Sequence, residues 1–406
     1  MVTVHGASCA APLDVLIVGA GISGLAAASA LASRFPLVRV LEARARVGGR
    51  LLSTVDGADL GGSWWWAHDA SAEQLARKLS VHSVPQRLDG NAYVDEGDGR
   101  GAHRAGDVGD RIVPCGPGVK RFAGGYAELP KRLAQSLPEG AVQLGARVVS
   151  LEHRPGDTDA EGSPDGSQPT IRVGLDGGAE VYARRVILAL PPRLSSRIQF
   201  TPALPDDTRR RLEVTATWCG DWAKVVATFR TPFWRERGDS GAAVTPGGLV
   251  EVWWEASSGA DGDGRVASLG GLTFGAAGAA ALQQFEAAGG GERSGEEDAA
   301  ESPAGLRAAV ARALGALYGE AIVEEQLLTV RHKVWMADSD TYAPPADGGC
   351  EPPGDPRASY GHPLLRMPLP WGVHFAGTES ERESGHVAGA LLAGGRAARE
   401  VEKALR

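Results

Sequence analysis

The sequence predicts an α/β protein of two domains, and three observations carry that expectation. First, Asp14 to Val18 is a mostly apolar, β-branched run that breaks at glycine and continues as Gly19-Ala-Gly21-Ile-Ser23-Gly24-Leu-Ala, small and apolar residues with helical spacing. Second, another apolar run, Val38 to Leu41, ends on Glu42, 18 residues beyond Gly24. Third, 406 residues are more than one ordinary core organises. Strand, glycine turn, helix and second strand make a Rossmann-like dinucleotide-binding unit. Gly19 permits the turn, Gly21 lets the backbone approach a pyrophosphate, and Gly24 lets the helix pack close on the strand. The phosphates then meet unpaired N–H groups at the helix start. Glu42 is placed to accept hydrogen bonds from a ribose, and it disfavours NADP by repelling a 2′-phosphate.

The totals narrow the class. The chain is 43% apolar and 23% charged with a net charge of −8, so nucleic acid and anionic membrane are poor partners. Cys9, Cys115, Cys219 and Cys350 have no ligand spacing and read as free thiols, with no metal site expected. Met1 to Leu13 has no long apolar stretch and no basic flank, and no run of 18 apolar residues occurs. A soluble protein of the cytoplasm or an organelle lumen is expected, with oligomeric state open and a homodimer compatible.

In chain order, Ala43-Arg44-Ala-Arg46-Val-Gly48-Gly49-Arg50 is a basic glycine-rich loop in which Arg44 and Arg50 are placed to neutralise a pyrophosphate. In Asp59-Leu-Gly61-Gly62-Ser63-Trp64-Trp65-Trp66, an extended segment sends neighbouring side chains to opposite sides, so at least one tryptophan faces a ligand or a domain surface. Helices are expected at 71–79, 127–137, 204–217 and 305–318. Ala141 to His153 and Thr170 to Tyr182 read as strands, and Arg185 to Leu190 as a short buried parallel strand returning to the first sheet. Further strands at 222–229, 250–255 and 266–274 suggest an antiparallel substrate layer. The segments 155–167 and 288–304 are acidic and rich in Gly or Ser, hence surface loops. Gly372 to Phe375 is a strand, and a helix with one apolar face follows Val387.

These pieces together resemble the flavin-dependent amine oxidases, which include monoamine, polyamine and L-amino acid oxidases. The resemblance spans nearly the whole chain and rests on Gly19-Ala-Gly21-Ile-Ser23-Gly24, Glu42-Ala43-Arg44, Gly48-Gly49-Arg50, Asp59-Leu-Gly61-Gly62-Ser63-Trp64, Val186-Ile-Leu-Ala-Leu-Pro191-Pro192, His374-Phe-Ala-Gly377-Thr378-Glu379 and Gly385-His386-Val387-Ala-Gly389. It implies a two-domain FAD-linked oxidase fold, in which residues 1–80, 120–195 and 365–406 form the FAD-binding domain. Residues 81–119 and 196–364 then form an α+β substrate domain on an antiparallel sheet. It implies non-covalent FAD held by Gly19, Gly21, Ser23, Gly24, Glu42, Ala43, Arg44, Gly49, Arg50, Gly61, Gly62, Ser63, Trp64, Val148, Gly377, Thr378, Glu379, His386 and Val387. Val148 also reads simply as a core strand residue.

The resemblance further implies catalytic roles for Lys224, Tyr360 and His386. Lys224 lies inside a β-rich run where burying a lysine is costly without a partner, and it matches the lysine that holds a water at flavin N5. Tyr360 matches one wall of an aromatic cage, while Ser359 stands where some relatives carry the cysteine bonded to flavin. His386 stands at the second wall, where an imidazole replaces the usual tyrosine; this weighs against a plain monoamine, and a helix-start role is its alternative. The implied reaction is oxidation of a small amine or amino acid at its C–N bond, with O₂ reduced to H₂O₂. Alternatives are C–C oxidation, as in desaturases or protoporphyrinogen oxidase, and a redox-neutral or structural flavoprotein, against which Lys224 argues. Sequence does not place Arg121 or Arg357, the candidate anchors for a substrate carboxylate.

Overall fold

The computed structural model describes residues 11–66, 69–116, 118–155, 169–257, 267–288, 300–346, 348, 355–382 and 385–406. Most of both acidic segments lies outside these residues, as do Cys9 and Cys350. Two sheets organise the rest. In the first, the strand Leu13–Val18 pairs in parallel with Val38–Leu41 on one side and Glu180–Leu188 on the other. Val373–Phe375 also lies parallel to Glu180–Leu188, which brings the two ends of the chain into one sheet.

The short strand expected at 185–190 is the second half of this longer strand. Its first half, Glu180 to Ala183, runs antiparallel to Thr170–Leu175, and Gly177 and Gly178 at positive φ make the intervening turn. The burial pattern changes along it, from an exposed beginning to the fully buried Val186, Ile187 and Leu188, which is why the sequence reads as two elements. The strand expected at 141–153 is divided as well. Val142–Gln143 closes one edge of the sheet on Val40 and Leu41, whereas Val148–Arg154 pairs with Thr170–Leu175. Gly145, at φ +66°, makes the break, and the N–H groups of Gly145 and Ala146 return to the carbonyls of Arg44 and Glu42.

The second sheet has the order Leu327–Val334, Ala223–Phe229, Ala267–Thr273, Val252–Glu255, Asp239–Val244, Asn91–Val94, His103–Arg104. Its pairs are antiparallel except for Asp239–Val244 with Asn91–Val94. The strands Asp239–Val244 and Leu327–Val334 and the helix Gly275–Ala288 were not anticipated from sequence. The helices Ala70–Lys78, Glu128–Gln135, Asp206–Val214 and Ala304–Tyr318 fall where the pattern predicts them, the third ending early as Thr215 turns extended.

The helices Ile22–Leu31 and Val387–Leu405 pack on each other through glycine: a Cβ on Gly394 would lie 2.2 Å from the Ser23 carbonyl oxygen. Both helices begin next to the same cavity. No helix among the described residues is long and apolar enough to cross a membrane.

Candidate active site

The three glycines of the first turn do different work, and the structure separates them. Gly19 has φ +101°, and a Cβ there would sit 2.8 Å from the Ala189 carbonyl oxygen. A Cβ on Gly24 would sit 2.0 Å from the Gly19 carbonyl oxygen, so close packing of helix on strand requires that glycine. Gly21 is extended, at φ −68° and ψ 169°, and a Cβ there would meet nothing within 4 Å. Neither fold nor conformation demands that glycine. Its missing side chain leaves room in a cavity of about 560 Å³, beside the uncapped N-terminus of Ile22–Leu31.

The cavity is lined by most of the residues singled out above. From the first half of the chain come Gly19, Gly21, Ser23, Glu42, Ala43, Arg44, Gly49 and Arg50. Gly61, Gly62, Ser63, Trp64, Val148 and Lys224 follow, and from the far end Gly377, Thr378, His386 and Val387. The Ser23 hydroxyl accepts from the Gly377 N–H at 3.1 Å and stitches the two ends together. Thr378 Oγ1 donates to the His386 carbonyl at 2.7 Å and accepts from the Gly385 N–H at 3.0 Å, fixing the start of Val387–Leu405. Gly24, Glu379 and Tyr360 do not line the cavity.

The charges near the nucleotide motif are paired within the protein. Glu42 accepts from the Ala20 N–H at 2.8 Å and the Arg44 N–H at 3.0 Å, which aims its carboxylate at the turn. Arg44 donates to Asp338 at 2.6 Å and Thr341 at 2.7 Å, and Arg50 donates to Glu379 at 2.6 Å and the Trp218 carbonyl at 3.1 Å. Arg44 and Arg50, expected to neutralise a pyrophosphate, thus line the cavity with their guanidinium groups already paired to acids of the chain. Their acids lie about 300 residues away in sequence, beyond the reach of motif reading.

Lys224 sits in Ala223–Phe229, an interior and fully buried strand of the second sheet. Its ammonium donates to the Gly61 carbonyl at 2.6 Å and to the Ser63 hydroxyl, and it lies 5.6 Å and 5.1 Å from the ring centres of Trp64 and Trp254. Burial pushes its pKa down to about 8, against the opposing charge of Asp59. Because this lies below its ordinary 10.5, the folded chain binds fewer protons between the two values, and this group's contribution to stability rises with pH across that window.

Asp59 is itself pushed up to about 6 by burial, although the Ser53 hydroxyl and the Tyr126 N–H both donate to it. Asp59→Asn keeps an acceptor for both donors and removes the charge. It is expected to leave the fold intact and move the Lys224 titration to lower pH, a shift measurable in the pH dependence of reoxidation.

Around Lys224 the lining is aromatic. Trp64 and Trp66 line the cavity while Trp65, between them, turns into the first core and stacks on Phe122 at 5.8 Å, the alternation expected of an extended segment. Trp66 stacks on the His386 imidazole with ring centres 5.0 Å apart, and Trp218 meets the same imidazole edge-on at 5.7 Å. Trp222 and Trp335 also line the cavity.

Sequence reasoning missed Trp218, Trp222 and Trp335; the Trp218-Cys-Gly-Asp-Trp222 cluster just before the Lys224 strand was the available signal. Tyr360 is not part of this chamber. It is buried, its hydroxyl donates to the Ala216 carbonyl at 3.0 Å, and it lines a neighbouring pocket with Ser359 and Arg357. Arg121 is buried against the Ser257 carbonyl, and neither it nor Arg357 lines the chamber. Among the described residues Cys115 and Cys219 are free thiols, and no cluster of metal-binding side chains occurs.

Fold and site together define a two-domain flavoprotein of the FAD-linked oxidase class, with a Rossmann-like domain joined to a second, sheet-based domain. A family profile described as flavin containing amine oxidoreductase matches residues 101–402, and an NAD(P)-binding Rossmann-like profile matches residues 17–79. The chain belongs to the flavin-containing amine oxidoreductase family, and its cofactor is FAD. It is 28% identical to a putative flavin-containing monoamine oxidase, AofH, of Mycobacterium tuberculosis, with 96% of each chain covered. It is 27% identical to the human amine oxidase [flavin-containing] B, over 97% of this chain and 86% of that protein. Its fold matches cyclohexylamine oxidase from Brevibacterium oxydans with a TM-score of 0.73 at 22% identity, over 97% of this chain and 99% of that one.

Proposed function

We propose that the protein oxidises small primary monoamines that carry an uncharged, apolar tail, with O₂ as the electron acceptor. The carrying observation is the chamber lined by Trp64, Trp66, Trp218, Trp222, Trp335 and His386 with Lys224 among them. The acidic residues lining the whole cavity among those described are Glu42 and Asp340, and these are engaged by Arg44 and Arg147. A second ammonium, as in a diamine, finds no carboxylate partner among the indoles. His386 weighed against a monoamine, but Trp66 and Trp218 flank its ring and supply the flat apolar faces that a hydrocarbon tail needs.

When bound, FAD supplies the electron acceptor: a hydride equivalent leaves the carbon bearing nitrogen, the resulting imine hydrolyses in water to a carbonyl compound and ammonia, and O₂ is reduced to H₂O₂. The residues that would hold FAD are those around Gly21, Glu42, Val148 and the start of Val387–Leu405, whose N-terminal dipole favours negative charge. The flavin is non-covalent in this reading: Ser359 lies in the neighbouring pocket, where its hydroxyl donates to the Pro356 carbonyl. The aromatic walls orient the tail and exclude water, and they favour the neutral amine that can lose a hydride. Lys224, held by Gly61 and Ser63, presents a buried donor for a water or for reduced oxygen.

A peroxide assay with the FAD-loaded protein tests this reading. Benzylamine and cyclohexylamine are expected to give peroxide with kcat/KM at least about tenfold above putrescine and phenylalanine, the discrimination set by one unpaired charge. Equal rates for all four, or peroxide from none, would refute it.

A further inference from the structure

Trp218 stands between two pockets of opposite character. One is the aromatic chamber, whose wall it shares with His386 and Trp222. The other, of about 660 Å³, is lined by Arg211, Arg357 and Arg382, with Asp355 as the lining carboxylate among the described residues. The Arg357 guanidinium lies 5.2 Å from the centre of the Trp218 ring and pairs with Asp355 at 2.6 Å. His362, in the same pocket, is held below its ordinary pKa by burial and by Arg211, so it adds no charge at neutral pH. Three guanidinium groups against one carboxylate give this pocket a positive balance in a chain whose net charge is −8.

The partition is firmly held. Arg50 donates to the Trp218 carbonyl at 3.1 Å, and Glu379 accepts from the Trp218 N–H at 3.2 Å. Arg50 and Glu379 also pair with each other, so both backbone polar groups of Trp218 are fixed by one ion pair. The indole lies on bare backbone, since a Cβ on Gly385 would come within 2.7 Å of the ring.

We propose that Trp218 determines specificity by screening these cations from the chamber, so that amines bearing a carboxylate are rejected. A carboxylate entering the indole-lined chamber gives up its hydration and is compensated only by a cation in reach. Lys224, the cation within the chamber, is already engaged by the Gly61 carbonyl and the Ser63 hydroxyl, and the Arg357 guanidinium lies against the Trp218 ring from the neighbouring pocket. An uncharged tail carries no such penalty. The chamber's role rests on the amine oxidase reading, but the screen is a property of binding and is tested without turnover.

The test is calorimetric titration of the FAD-loaded protein with benzoate. Trp218→Ala is expected to bind benzoate at least about tenfold more tightly than the parent, the size of one charge-assisted hydrogen bond. Adding Arg357→Gln to that variant returns the affinity to the parent's. Trp218→Phe keeps an aromatic partition and binds as weakly as the parent, while Trp218→Leu, which removes less packing, opens the screen if the alanine variant fails to fold. The proposal falls if neither opened variant binds more tightly than the parent, or if the Arg357→Gln change leaves the tightened binding intact. Benzylamine oxidation by the parent, measured alongside, reports on the amine oxidase reading separately: its absence refutes that reading and leaves the benzoate comparison decisive for the screen.

Discussion

Lys224→Met is expected to slow reoxidation of the reduced protein by oxygen about a hundredfold, the loss typical of removing one positioned charged donor from a dry site. The parent's lysine is buried, engaged with Gly61 and Ser63, and titrates near pH 8. On the proposed role, the parent's reoxidation rate constant is expected to fall as pH rises through about 8, where the ammonium loses its charge. Lys224→Met lacks this titration. Stopped-flow mixing of reduced protein with oxygenated buffer across pH 6.5 to 9.5 gives both quantities. A variant as fast as the parent, or one with the same pH profile, would remove Lys224 from the oxygen step.

Gly21→Val is expected to fold and yet lose FAD. The backbone at Gly21 is extended and a Cβ meets nothing within 4 Å, so a Cβ there neither strains nor clashes with the chain itself. Its side chain fills space in the cavity beside the helix start, and crowding of about 3 kcal/mol weakens FAD by about a hundredfold. Gly24→Val behaves differently: its Cβ collides with the Gly19 carbonyl oxygen at 2.0 Å, and the variant is expected to fail to fold. Circular dichroism with flavin content after gel filtration separates the two outcomes. A Gly21→Val protein that retains its flavin would place the pyrophosphate elsewhere.

The parts of this site that sequence made legible are those in which chemistry and spacing are local. Gly19, Gly21, Gly24 and Glu42 lie within one strand, turn, helix and strand, so their pattern alone specifies the turn. Lys224 was visible because a lysine within an apolar β run contradicts the pattern around it. Trp64 and Trp66 followed from simple alternation on either side of Trp65.

What sequence did not reveal depends on distant packing. The ion pairs Arg44 with Asp338 and Arg50 with Glu379 form only when both ends of the chain converge on the cavity. Tyr360 was aligned with a cage wall by motif; its hydroxyl is bound to the Ala216 carbonyl and it lines the neighbouring pocket, while Trp218 lines the cavity. Trp218 sits in a short segment between helix and strand, with no periodicity to announce where its ring points. Glu180–Leu188 changes from an edge environment to a buried one midway, which no single periodicity describes.

The most direct test of the central claim is anaerobic mixing of the FAD-loaded protein with benzylamine or cyclohexylamine while the flavin absorption band is followed. Amine oxidation through the aromatic chamber predicts bleaching of that band, and peroxide with recovery of the colour when air is readmitted. A band that survives every amine tested, although dithionite bleaches it, would contradict the account.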